Sequence, residues 1–104
     1  MAESADVVVI GAGIQGASTA FHLARRGARV TVLDAHTAGS GATGRSNGFV
    51  RMHYDLAAES ALAWLSFDYF INWAERIGGD CGFVQSGFLR IVPPELDVRS
   101  APVA

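Results

Sequence analysis

The run Val7-Val8-Val9-Ile10 breaks directly into Gly11-Ala12-Gly13-Ile14-Gln15-Gly16, and nothing else in the chain narrows its fold so far. A continuous apolar, β-branched run of this kind reads as a strand buried on both faces. G-x-G-x-x-G is then a strand-to-helix turn in which each glycine answers a physical need. Gly11 permits a tight turn out of the strand, Gly13 lets backbone approach a pyrophosphate, and Gly16 lets the helix pack closely on the sheet. Ile14 to Arg26 contains no proline and places Ile14, Ala17, Ala20, Phe21 and Ala24 on one helical face. Arg25 and Arg26 occupy the last turn, and Gly27 stands where a left-handed C-terminal cap belongs. A second apolar run, Ala28 to Leu33, ends at Asp34. This is the layout of a βαβ unit that holds the adenosine diphosphate half of a dinucleotide, with Ala12, Ile14 and Gln15 completing the phosphate turn.

Asp34 lies where a carboxylate accepts hydrogen bonds from ribose hydroxyls, and Ala35 follows it on the same rim. A carboxylate there repels a 2′-phosphate, which disfavours NADP. FAD and NAD share the adenosine diphosphate half, so the motif alone leaves them both open.

The remaining composition mostly excludes. A chain of 104 residues with a net charge of −2 has no basic footprint for nucleic acid. All 8 basic residues are Arg, so no Schiff-base or P-loop lysine exists in this chain. Cys81 is the only cysteine, and His22, His36 and His53 lack metal-ligand spacing, so no metal site is expected. Met1 to Asp6 carries two acids and no base, unlike a secretory leader, and no apolar run is long enough to span a bilayer. A cytoplasmic location without membrane association is the resulting expectation.

From His36 to Gly48 the composition changes abruptly, and 4 of these 13 residues are glycine. A flexible surface loop is one reading. A loop lying along a ligand, offering backbone N–H groups and hydroxyls to it, is favoured by its place directly after the ribose-binding acid.

Asp6 to Asp34, followed by Gly39-Ser40-Gly41-Ala42-Thr43-Gly44-Arg45-Ser46-Asn47-Gly48 and Val50-Arg51, resembles the N-terminus of a FAD-dependent oxidoreductase of the D-amino-acid oxidase, sarcosine oxidase and glycine oxidase superfamily. Ala20, Leu23, Gly27 and Val30 also match its extended fingerprint. The resemblance runs to about Val92 and is most discriminating in the G-A-T-G-R-S-N-G loop. It implies FAD as cofactor, with contacts from Ser40, Gly41, Ala42, Thr43, Arg45, Ser46, Asn47 and Gly48. The acid at Asp34 is usually Glu in that family, so a shorter Asp here implies a small backbone shift toward the ribose. Arg45 stands in the region where some members attach flavin to a His, which argues against covalent attachment through such a His. An Arg near the position of Arg51 lies close to flavin and substrate carboxylate in related amine oxidases, and an Arg fork suits a carboxylate. Pairing of Arg51 with Asp55 is the plainer alternative. His53 and Tyr54 follow, and His53 joins Arg51 as a candidate substrate-binding residue. The implied reaction is oxidation of a C–N bond in a small amine or amino acid.

Asp55 reads as the N-cap of a long helix running to about Ile77 and closed by Gly78-Gly79. Its apolar residues keep to no narrow stripe, and 6 of the chain's 10 aromatics fall between Tyr54 and Trp73. Packing, rather than a cofactor box, is the expected role of those rings. Phe83-Val84-Gln85 and Phe88 to Val92, around Ser86-Gly87, read as a β-hairpin with Gln85 and Arg90 on polar or cleft-facing positions. Pro93-Pro94 ends it, and residues 95–104 look loosely structured.

The expected architecture is therefore α/β. A Rossmann-like βαβ FAD-binding unit with its flavin loop (1–54) precedes a helix and hairpin that begin a substrate domain (55–92) and an irregular tail (93–104). The resembled enzymes are several times longer, so the domain is expected to be incomplete and the isolated chain inactive. A missing C-terminal region or a partner subunit would complete it. Two other readings remain open from sequence: an NAD-dependent dehydrogenase domain, and a non-catalytic fragment or small subunit.

Overall fold

The computed structural model describes residues 4–95. Their order is β1 (Val7–Ile10), α1 (Ile14–Arg25), β2 (Val30–Leu33), α2 (Ala57–Ile71) and α3 (Trp73–Arg76). The chain divides into two compact units at the Phe49–Val50 bond. The first holds β1, α1, β2 and the glycine-rich loop, and the second holds the two remaining helices and the segment after them.

In the first unit, β1 and β2 pair in parallel, with Val7 opposite Val30 and Ile10 opposite Leu33. The βαβ unit read from the glycine motif is present. Gly11 lies at φ +106°, a region closed to most side chains, and its N–H donates to the Leu33 carbonyl at 2.7 Å. A Cβ on Gly16 would sit 1.9 Å from the Gly11 carbonyl oxygen, so α1 can approach the turn only because this residue has none. At the other end of α1 the Gly27 N–H donates to Ala24 and the Ala28 N–H to Leu23, at 2.9 and 3.2 Å. With Gly27 at φ +89°, this is the left-handed cap expected there.

A buckle closes the far end of the sheet. Asp6 takes the Arg29 guanidinium on both oxygens, Nη2 to Oδ1 at 2.7 Å and Nε to Oδ2 at 3.2 Å. Its backbone N–H donates to the Arg29 carbonyl at 2.8 Å. Arg29 holds the Asp6 carboxyl below the ordinary carboxylate range.

Burial on both faces of β1 is not observed. Among the described residues the sheet has two strands, and Val8 and Ile10 are 53% and 88% exposed.

The second unit departs further from expectation. The long helix is in fact α2 and α3, separated by Asn72 at φ −113°, ψ 32°. Asn72 turns its side chain onto Asp68, Nδ2 to Oδ1 at 2.6 Å, the local competition that makes Asn a helix terminator. Asp68 also pairs with Arg76. Asp55 is not the N-cap: α2 starts after Leu56, which makes no side-chain cap, because the Asp55 carboxylate is taken by Arg90. Closure by glycine does occur, with Gly78 at φ +100°.

Phe67, Phe70, Trp73 and Phe83 form a chain of ring contacts at centroid distances of 5.5–6.5 Å, and Trp64 adds an edge contact to Phe67. The aromatics thus pack, though outer positions of α2 such as Leu62 and Leu65 stay exposed.

The hairpin expected over 83–92 does not form. The chain bends at Ser86-Gly87, with Gly87 at φ +81°, yet neither flank is a strand. Val84, Leu89 and Ile91 lie open to solvent, and two short strands without a layer beneath them are marginal at best. The tail expectation falls largely on residues outside those described.

Candidate functional site

The first unit gathers most of the anticipated cofactor residues. The earliest intrahelical bond of α1 runs from the Ala17 N–H to the Gly13 carbonyl, so the amides of Ile14, Gln15 and Gly16 precede the helical ladder. This end of α1 therefore carries donors and partial positive charge, with no acid in its own first turn.

The glycine-rich loop is not loose. It is folded into overlapping turns, Ser40 N–H to Thr37, Gly44 N–H to Gly39 and Ser46 N–H to Thr43, at 2.7–3.2 Å. A Cβ on Gly44 would come within 2.5 Å of the Gly39 carbonyl oxygen, so that turn also requires glycine. Two bonds dock the loop on the glycine motif. The Gly39 N–H donates to the Ala12 carbonyl at 3.0 Å, and the Ile14 N–H donates to Thr43 Oγ1 at 2.9 Å. A Cβ on Gly13 would lie 3.0 Å from that same oxygen. Gly13 thus leaves room for Thr43 as well as for a ligand. Toward its end the loop stabilises itself locally: Arg45 Nε donates to the Gly41 carbonyl, and Ser46 and Asn47 accept from the amides of Gly48 and Phe49. Ser40 and Ala42 are carried on these turns, and Ala35 lies between Asp34 and the loop.

Asp34 does something the spacing did not reveal. Its Oδ2 accepts the Ala12 N–H at 2.6 Å and its Oδ1 the His36 N–H at 2.8 Å. These amides, Ala12 first, lower its carboxyl below the ordinary range, so it is ionised near neutrality. A carboxylate offers about four acceptor positions, which leaves capacity for ribose hydroxyls beyond the two amides. The short side chain is drawn in toward the glycine turn and ties β2 to it.

A dinucleotide pyrophosphate fits this cradle. It offers unladdered helix amides, a hydroxyl beside them, glycines where a Cβ would intrude, and no acid in the first turn of α1.

Arg51 and His53 belong to the second unit. The Arg51 guanidinium lies over the Tyr54 ring at 4.6 Å and is not paired with Asp55. Instead Asp55 Oδ1 takes Arg90 Nη1 at 2.7 Å, and the same Nη1 lies 3.2 Å from His53 Nε2. Arg90 foremost, with smaller contributions from His53 and Arg51, holds the Asp55 carboxyl below the ordinary range. Ser60, 5% exposed, accepts the Tyr54 N–H at 3.0 Å and donates to its carbonyl at 3.3 Å. That clasp fixes the segment bearing Arg51 and His53 to the start of α2. Sequence reasoning left Arg90 outside the site. It lies 37 residues from His53, and no local pattern links them.

The family model described as FAD dependent oxidoreductase matches residues 6–101. Glycine oxidase of Geobacillus kaustophilus is 30% identical over 97 residues, covering 86% of this chain and 26% of that protein. The tRNA 5-methylaminomethyl-2-thiouridine biosynthesis bifunctional protein MnmC of Chromohalobacter salexigens is 37% identical over 87 residues, covering 76% of this chain and 12% of its own. A component of the anaerobic glycerol-3-phosphate dehydrogenase of Escherichia coli is 33% identical over 96 residues, 89% of this chain and 17% of that one. The chain thus spans between 12% and 26% of the length of these relatives. No solved structure matches it. Among the described residues no helix is long and apolar enough to cross a membrane. Of the dinucleotides that the glycine motif left open, FAD is therefore the cofactor, and the chain belongs to the FAD dependent oxidoreductase family.

Proposed function

We propose that this chain supplies the adenosine diphosphate cradle of a flavin-dependent enzyme that oxidises the C–N bond of a small amine or amino acid. One observation carries the reading: the loop from Gly39 to Gly48, whose sequence resembles amine and amino-acid oxidases, is docked on the glycine motif through Ala12 and Ile14. The Geobacillus relative, a glycine oxidase by name, supports the choice of bond.

Bound FAD supplies a two-electron acceptor for the carbon next to nitrogen. The residues of this chain bind and orient. The amides of Gln15 and Gly16 and the Thr43 hydroxyl, itself held by the Ile14 amide, would hold the pyrophosphate, with Gly11 and Gly13 keeping its approach clear. Ionised Asp34 accepts from the ribose hydroxyls, with the Ala35 backbone beside it. Ser40, Gly41, Ala42, Arg45, Ser46, Asn47 and Gly48 line the path toward the flavin ring. Arg51 pairs with the substrate carboxylate, with His53 near it. A further segment or partner subunit completes the enzyme.

A second reading, oxidation of a phosphorylated alcohol, draws on the Escherichia coli relative. Full-length protein mixed anaerobically with glycine, N-methylglycine, D-amino acids or glycerol 3-phosphate separates the two. Bleaching of the flavin band by an amine, with a carbonyl product released on hydrolysis, is expected. Bleaching by glycerol 3-phosphate alone overturns the C–N reading.

A further inference from the structure

We propose that Arg90, anchored by Asp55, is a carboxylate-gripping residue that acts with Arg51 in the second unit. The inference rests on the amine or amino-acid reading above and names the group by which such a substrate is held.

Arg90 Nη1 has two protons, and both are committed. One goes to Asp55 Oδ1 at 2.7 Å and one to His53 Nε2 at 3.2 Å. Guanidinium cannot accept a hydrogen bond, so in this contact Nε2 is the acceptor. The other long edge of Arg90, Nε–H with Nη2–H, has no partner among the described residues. That edge is the side-on fork that matches the two oxygens of a carboxylate.

The fork is held rather than waving. The Arg90 side chain is 34% exposed, and Phe88 lies beside His53 with ring centroids 6.2 Å apart. The Ser60–Tyr54 clasp fixes the backbone that carries His53 and Asp55. Arg51 spends the face of its guanidinium on Tyr54 and leaves its N–H edges without an acceptor among the described residues. Arg90 thus contacts Asp55 directly, while Arg51 acts on that carboxylate only through space. A single rim ion pair contributes little, whereas a preorganised fork with spare donors lowers the ordering cost of gripping an anion.

The competing explanation is that Arg90 only clasps the segment after α3 to the start of α2. Calorimetric titration of the full-length protein with propionate, propionamide and inorganic phosphate distinguishes these. Propionate should bind in preference to both others, and Arg90→Met should weaken it by about tenfold or more, without loss of flavin. Arg90→Lys keeps one cation for Asp55 but has no fork, so it should fold normally and still bind propionate about as weakly as R90M. R90K that is folded and binds propionate like the wild type overturns the proposal, and so does a wild-type preference for phosphate. Amine turnover with Arg90-independent propionate binding defeats this inference alone. Arg90-dependent binding in a protein that oxidises only alcohols defeats the C–N reading alone.

Discussion

The two units are held together in different ways. In the first, contacts are short, polar and mostly to backbone: Asp34 to the Ala12 and His36 amides, Thr43 to Ile14, Asp6 to Arg29. Glycines stand where a single carbon would collide. In the second, cohesion comes from aromatic rings and a few side-chain pairs, and much apolar surface stays open. A unit built on backbone geometry tolerates almost no change of shape. A unit built on ring contacts tolerates change but specifies less.

The strongest way to break that comparison is Gly16→Ala. The added carbon would meet the Gly11 carbonyl at 1.9 Å, and backbone has little freedom to yield. A destabilisation of about 3 kcal/mol or more is expected, with loss of bound flavin, read by thermal melting and flavin absorbance. A G16A protein that melts and colours normally would refute the close approach of α1 to the turn.

Phe83→Ala tests the other side. Phe83 bridges Phe67 and Phe70 but is only half-buried, so a loss of about 1–2 kcal/mol is expected, with flavin content unchanged. Loss of flavin on this substitution would overturn that expectation.

Thr43→Val removes the acceptor for the Ile14 amide while keeping the shape. About 1 kcal/mol of stability should go, as for other lost N-terminal caps, and Thr43→Ser should restore most of it. A T43V protein as stable as the wild type in chemical denaturation would show that the hydroxyl acceptor contributes nothing.

Acid gives the smallest effect. Arg29 lowers Asp6, the Ala12 amide lowers Asp34, and Arg90 lowers Asp55 from the ordinary value of 3.8. A carboxyl depressed in the folded state stabilises fully above its unfolded value and loses that contribution as pH falls through the folded one. Melting temperature should therefore hold steady above 3.8 and decline below it. A rise in that acid range would contradict all three assignments.

The same contrast explains what was legible in the sequence. β1, α1, β2 and the Gly27 cap were readable because each is dictated locally, by apolar runs, helical spacing and glycine at positive φ. The free amides at the start of α1 followed, since the motif fixes where backbone donors stand. Illegible were the features decided at long range. Asp55 was read as a helix cap because nothing nearby shows that Arg90 claims it. The hairpin over 83–92 had the right alphabet but no layer to pair against. Asn72 interrupts a helix that apolar content alone would have continued.

The Thr43 hydroxyl accepts the first amide of α1 and still has a proton of its own to give. It therefore stands in series between the helix and any anion, and the glycine-rich loop must be folded for it to be there. Ordering that loop and gripping the pyrophosphate become one equilibrium, in which each favours the other by the same factor. Substitutions far along the loop, touching no phosphate, should then be felt as changes in cofactor affinity.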